Sequence, residues 1–406
     1  MIFLRCLPAI AAAVGISPLI GAPSTALADD HDTAANGWSY SALPQQPSGT
    51  PWPQQSWPRA PLPPDADADS VARIISALMA DYQHERLGTT HAVVVVQGGR
   101  IIAEEYREGY ACDGITHTMS IAKMMGAVVA GAMQQDGLID VDAPADIPIW
   151  RESDPRSAIT PAQFLQMTSG LRWDEFLDFL GLAAGQGYKD NAAYVFKKPL
   201  DYDPGTHFQY SDGAPGIIGY LLGQRLGVDP GQARADAVTD YIQERLLGPV
   251  GMDTTEPEFD LQGTWYGSSG IRWSPCDLAR FSLLLLRDGV WDGERLLPEG
   301  WVDRMRTPTL PSMAETSDLR MHYQSGYGMT SFVYDLDFGA DDLTIDAFGH
   351  TGFAGHVLKI TPSKDLIVMV LGSDAVDPER FAVRLELTHA LTEAFAEVSG
   401  NEANQP

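Results

Sequence analysis

The chain has 406 residues, 44% of them hydrophobic and 20% charged, a composition that belongs to a globular protein and excludes a chain too polar to bury a core. Its 54 Asp and Glu against 27 Lys and Arg leave a net charge of −27. That balance argues against nucleic acid or an anionic membrane surface as a partner, because phosphate binding needs clustered basic side chains.

The first residues carry Arg5, an apolar run from Leu7 to Ile20, and Ala26-Leu27-Ala28 ahead of Asp29. This pattern predicts a secretory signal over residues 1–28, cleaved after Ala28, and a soluble product in the periplasm or outside the cell with no stable membrane insertion. Cys6 precedes the apolar run, the wrong place for a lipidated cysteine at a mature N-terminus. Cys112 and Cys276 remain, either as one disulfide or as two buried thiols, and the sequence leaves both open. Neither they nor the nine histidines show metal-ligand spacing, so no metal is expected.

Residues 29–66 hold Pro44, Pro47, Pro51, Pro53, Pro58, Pro61, Pro63 and Pro64, which favour extended backbone over helix or sheet. Trp38, Trp52 and Trp57 in the same stretch predict an arm laid on the globular body with its indoles buried, against the alternative of a mobile tether. Val71, Ile74, Ile75, Leu78 and Tyr82 then mark one helical face, capped from among Asp67, Asp69 and Ser70. The valine run Ala92–Gln97, the turn Gly98-Gly99 and Arg100–Tyr106 predict a hairpin.

From Met119 to about Val250 the pattern is mostly helical, with Pro161–Met167 and Gly216–Arg225 the clearest pieces. Strand patterns return near Gly328–Tyr334, His356–Ile360 and Leu366–Gly372, followed by a helix Pro378–Ala396 capped by Asp377. Strands at both chain ends around a helical middle predict an α+β fold: one antiparallel sheet flanked by helices, with an inserted all-helical domain. The expected bounds are 67–118 and 259–398 for the sheet domain and 119–258 for the helical one.

Ser120-Ile-Ala-Lys123 places a hydroxyl and an amine on neighbouring positions at the start of a helix, where a neutral lysine could take the serine proton. Alone the pattern is common by chance. Downstream stand Tyr210-Ser211-Asp212, after Pro204-Gly205-Thr206, and Gly349-His350-Thr351-Gly352-Phe353. Together, in this order, the three elements resemble those of the serine β-lactamase and penicillin-recognising superfamily. Ile159-Thr160-Pro161, Met167-Thr168-Ser169-Gly170-Leu171 and Leu278-Ala279-Arg280-Phe281 are similar to its class C-related branch of esterases and 6-aminohexanoate-dimer hydrolases.

The resemblance covers roughly residues 68–398 and implies a β-lactamase/transpeptidase-like fold and a serine hydrolase that needs no cofactor. Ser120 would attack the acyl carbon of a small ester or amide, Lys123 and Tyr210 would share the proton traffic, and the N–H groups of Ser120 and Phe353 would form the oxyanion hole. Phe353's side chain is left open between cleft and core. Trp173 and Asp174, after the Ser-Gly-Leu turn, are candidate substrate-facing residues, with a solvated loop around a buried indole as the alternative. Gly267-Ser268-Ser269-Gly270 either borders the cleft or is a plain turn before a helix.

Two departures bear on specificity. His350 stands where many relatives carry Lys, replacing a fixed cation by a group that titrates near neutrality and weakening recognition of a substrate carboxylate. Asp212 stands at an asparagine position; near Lys123 its carboxylate would favour the protonated amine and shift the base role to Tyr210, unless it turns away. A D,D-peptidase or β-lactamase, and a non-catalytic binder of peptide or cell-wall fragments, are the rival readings.

Overall fold

The computed structural model describes residues 38–80, 84–184, 189–315, 324–336 and 344–398. The expected signal segment 1–28, the first part of the arm (29–37) and Tyr82 lie outside the described residues.

Helix α1 (Ala68–Met79) starts where the Asp67 carboxylate accepts the Ser70 N–H at 3.0 Å, and it buries Val71, Ile74 and Leu78. The hairpin follows as β1 (Thr89–Gln97) and β2 (Arg100–Tyr106), turning at Gly98 and Gly99, both at positive φ. The helical middle includes α2 (Lys123–Gln135) and α3 (Gly216–Arg225). Helix α4 (Pro275–Leu286) is capped by Ser274. Strands β3 (Gln324–Tyr327), β4 (Phe332–Tyr334), β5 (Phe348–Gly352), β6 (His356–Thr361) and β7 (Leu366–Ser373) lead into α5 (Pro378–Glu393), capped by Asp377.

The seven strands form one antiparallel sheet in the order β2-β1-β7-β6-β5-β4-β3. The N-terminal hairpin therefore pairs with the last strand, which is how the two chain ends build one sheet. Alternation along β1 sends Val93 and Val95 into a core with α1 and α5, while Ala92, Val94 and Val96 join the larger core of α2, α3 and α4. With both faces covered, the strand reads as an unbroken apolar run.

The single strand expected at Gly328–Tyr334 is instead the connection that follows β3, residues 328–331, and the whole of β4. Gly328 packs so closely on the Met305 carbonyl that a Cβ would overlap it, and the Met329 and Thr330 N–H groups donate to Met305 O and Leu165 O. Backbone groups used that way cannot continue a ladder.

The proline-rich segment runs along this body. Apart from short turns such as Thr50 N–H to Pro47 O and Gln54 N–H to Trp52 O, a backbone of this kind makes few internal hydrogen bonds, so its other carbonyls need outside donors. Three buried arginines supply them: Arg280 to Pro53 O at 2.6 Å, Arg287 to Pro44 O at 3.2 Å, and Arg306 to Ser41 O at 2.6 Å. Trp57 is buried and donates to Cys276 O at 3.0 Å; the half-buried Trp52 packs on Trp291 with ring centroids 4.8 Å apart, and Trp38 is half-buried as well.

Cys112 and Cys276 form a disulfide across a sequence separation of 164. It ties the segment leading to Ser120 to the first turn of α4, beside a 2.7 Å hydrogen bond from the Cys276 N–H to Cys112 O. Closing so long a loop restricts the unfolded chain, so Cys276→Ser is expected to lower stability by about 2–4 kcal/mol. Urea unfolding of the variant beside oxidised and reduced wild type reads this directly.

Candidate active site

The Ser120 segment is held from two sides. Thr116–His117 pairs with Ile271–Trp273, and the Trp273 indole donates to Thr118 Oγ1 at 2.8 Å. From the sheet, Gly352 lies against the Thr118 carbonyl, where a Cβ would overlap the oxygen, so only glycine lets the end of β5 approach the nucleophile's segment. Between these supports Met119 takes a positive φ of 50°, a sparsely populated conformation for a residue with a side chain. Ser120 sits on the short 3₁₀ turn Met119–Ala122 and α2 begins at Lys123, three residues later than a start at Ser120.

Helix α2 is buried from Lys123 to Met133, including the lysine. Lys123 Nζ donates to Ser120 Oγ at 2.9 Å, to Asp212 Oδ1 at 2.5 Å and to Ser268 O at 3.4 Å. Three acceptor oxygens match the three N–H donors of an ammonium. Asp212 does not turn away: it forms an ion pair with the lysine, and its own side chain keeps 18% exposure. The same nitrogen stands 4.8 Å from the centroid of the Tyr210 ring. Ser120, Lys123, Tyr210 and Asp212 thus share one site, with Ser268 of the Gly-Ser-Ser-Gly turn as a fourth side. That turn borders the cleft through a backbone carbonyl, which residue type alone could not signal.

His350 departs from expectation. It is fully buried among Tyr327, Phe332 and Tyr210, with ring centroids 5.9, 5.0 and 6.2 Å away. Its Nδ1 lies 2.6 Å from the Thr351 carbonyl and must donate to it, leaving Nε2 to accept from the Tyr327 hydroxyl at 3.4 Å. Burial, and then the Lys123 charge, hold it down at about 3. It is therefore a neutral imidazole at physiological pH, not a cation that titrates near neutrality. Burial likewise drives the Tyr327 hydroxyl well above its usual range, keeping it a donor. The sequence offered no sign of Tyr327 or Phe332 as packing partners.

Thr351 is half-buried, its hydroxyl accepting from Gln324 Nε2 at 3.4 Å, and Phe353, just past β5, is 49% exposed, so its side chain is not core. Trp173 is buried and lines a small cavity with Ser169, Lys198, Gln209 and Ser211; Asp174 is exposed and its carboxylate accepts the Leu177 N–H at 2.7 Å. Capping a helix start accounts for Asp174 without a ligand.

His356, opposite Gly352 in the ladder, is also buried and held at about 3, first by burial and then by the Arg384 charge. Unfolded histidines bind protons near 6.5, while these two refuse them until about 3, so the unfolded state holds more protons between those values. Stability is present above about 6.5 and is lost as the pH falls through that window. Melting temperatures from pH ~7 to ~4 are expected to fall, with a shallower slope in His350→Gln.

A family model described as beta-lactamase matches residues 71–393. The 6-aminohexanoate-dimer hydrolase of Paenarthrobacter ureafaciens is 26% identical over 261 residues, 59% of this chain; the chain spans 64% of the length of that curated relative. A Bacteroides dorei protein provisionally assigned as a beta-lactamase superposes with a TM-score of 0.65 at 19% identity, covering 81% of this chain and 99% of the other. A Bacillus anthracis protein provisionally assigned as a 6-aminohexanoate-dimer hydrolase gives 0.64 at 19%, covering 85% and 89%. These likenesses show a β-lactamase-like fold, an antiparallel sheet with helices.

Proposed function

We propose for this chain, which belongs to the beta-lactamase family, the activity of a serine hydrolase that cleaves an ester or amide through an acyl-enzyme on Ser120. The observation that carries the reading is the single buried amine bonded to both Ser120 Oγ and Asp212. A binding protein has no need to bury a lysine against a serine hydroxyl beside a tyrosine.

In acylation, Ser120 Oγ bonds to the acyl carbon and the bond to the leaving oxygen or nitrogen breaks. Tyr210 gives its phenol proton to the leaving group and takes the serine proton in its place, while the Lys123 ammonium stabilises the negative charge that develops on Oγ and on the Tyr210 oxygen as the protons move. Water then repeats the sequence on the acyl-enzyme. The ion pair of Lys123 with Asp212 supports this division, because an ammonium is no acceptor for the serine proton.

The neutral His350 favours substrates without a carboxylate at that end of the cleft, hence a carboxylesterase or 6-aminohexanoate-dimer-hydrolase type over a D,D-peptidase or β-lactamase. Intact-mass spectrometry after a fluorophosphonate and, separately, a penicillin decides between them, with Ser120→Ala as control. Labelling by the first alone supports the esterase reading; stable or fast-turning penicillin adducts favour its rivals, and labelling by neither removes the enzyme.

Export to the periplasm or the medium belongs to the same proposal, supported by the signal pattern and the disulfide. N-terminal sequencing of the protein from cell fractions should begin at Asp29; an intact Met1 in the cytoplasm would contradict it.

A further inference from the structure

Arg384 on α5 is fully buried, and it has no place in the chemistry above. Its Nε donates to Leu87 O at 2.9 Å, Nη2 to Thr89 O at 3.1 Å, and both Nη atoms to Thr90 Oγ1 at 3.2 and 3.0 Å. Every one of these acceptors is uncharged. Among the described residues Arg384 forms no ion pair; the nearby Asp374 accepts instead from the hydroxyls of Ser373 and Thr89. Burial pulls the guanidinium down to about 10, which leaves it charged at neutral pH.

A buried cation that bonds no carboxylate, with the exposed Asp374 as the opposing charge nearby, is costly and calls for a reason. Its position supplies one. The guanidinium is wedged against two glycines: a Cβ on Gly355 would come within 2.8 Å of Nε, and one on Gly372 would overlap Nη2. Gly355 belongs to the turn between β5 and β6, the turn that carries Phe353, and the Ala354 carbonyl of that turn accepts the Ala375 N–H at 3.3 Å.

We infer that Arg384 is a positioning residue for the oxyanion hole: its buried charge and its wedge beneath Gly355 set the orientation and polarity of the turn that presents the Phe353 N–H. The inference rests on the serine hydrolase reading. A fixed positive charge behind an amide donor favours the anionic transition state over the neutral ground state, and its field falls off little where water is excluded.

Three variants test this with p-nitrophenyl butyrate. Arg384→Met is expected to lower kcat about 10-fold or more with KM within about 2-fold, the signature of an interaction made in the transition state. Arg384→Lys, which restores the charge, should recover most of the loss. Thr90→Val removes one acceptor and keeps the charge, so it should lower the melting temperature and leave kcat unchanged. Unaltered kcat in Arg384→Met, or an equal kcat loss in Thr90→Val, would overturn the inference; should Arg384→Met not fold, a kcat in Arg384→Lys as low as in Ser120→Ala overturns it. Wild-type ester turnover reports on the hydrolase reading, whereas the ratio of variant to wild type reports on Arg384. If wild type is slow on this ester, the same ratios are taken from rates of fluorophosphonate labelling, and a protein that neither turns over nor labels overturns both.

Discussion

Ser120→Ala is expected to lower ester or amide turnover by about 10⁴-fold or more while leaving the protein folded. The hydroxyl does two things in the structure: it is the only atom of that side chain able to form the acyl bond, and it accepts one of the three hydrogen bonds from Lys123. Losing the first removes the covalent route altogether, and what survives is catalysis by the oxyanion donors and binding. Losing the second costs little, because Ser120 is only half-buried and water can take its place as acceptor. The supports of the segment, Trp273 on Thr118 and Gly352 against the Thr118 carbonyl, do not involve the side chain, so the positive φ of Met119 should persist. Steady-state kinetics with a fluorogenic ester and a thermal melt of the same sample check both halves. Activity above about 1% of wild type would move the nucleophile elsewhere.

What could be read in the sequence was mostly what is local. Ser120 and Lys123 are three positions apart, and the cap at Asp67 and the turn at Gly98-Gly99 are short-range events. The motifs carrying Tyr210 and Asp212 could be recognised by type, and both stand at Lys123. The state of His350 was not legible, because it depends on Tyr327 and Phe332, brought around it by the β3–β4 hairpin, and a residue's type says nothing of its solvent. The same limit hid the break at Gly328, where close contact with Met305 overrides a strand-like pattern. For Trp173 the sequence left a substrate-facing role and a buried indole both open, and the indole is buried beside a small cavity. The burial of Arg280, Arg287, Arg306 and Arg384 rests on backbone acceptors distant in the chain, which residue type does not signal.

The second large effect concerns the ammonium. Lys123→Met keeps the stem's length but leaves the Asp212 carboxylate and the Ser268 carbonyl without their donor. Breaking a buried pair by removing one partner costs about 3–5 kcal/mol, and the partial exposure of Asp212 should bring the loss to about 2–3. Activity should fall about 10³-fold, since the charge that stabilises the serine and tyrosine oxygens is gone. Asp212→Asn differs in kind. It keeps the amine beside Ser120 and can still accept through its amide oxygen, but it removes the negative charge that favours the protonated amine. Its pH–rate profile should therefore differ from that of wild type, at a kcat within about 10-fold. A profile that superposes on wild type would refute the electrostatic coupling between Asp212 and Lys123. Tyr210→Phe completes the comparison: if the phenol is the base that the ammonium assists, its loss and that of Lys123 are losses of one device. The double variant should then be no slower than the worse single one, whereas additive losses would mean that lysine and tyrosine act on the proton independently.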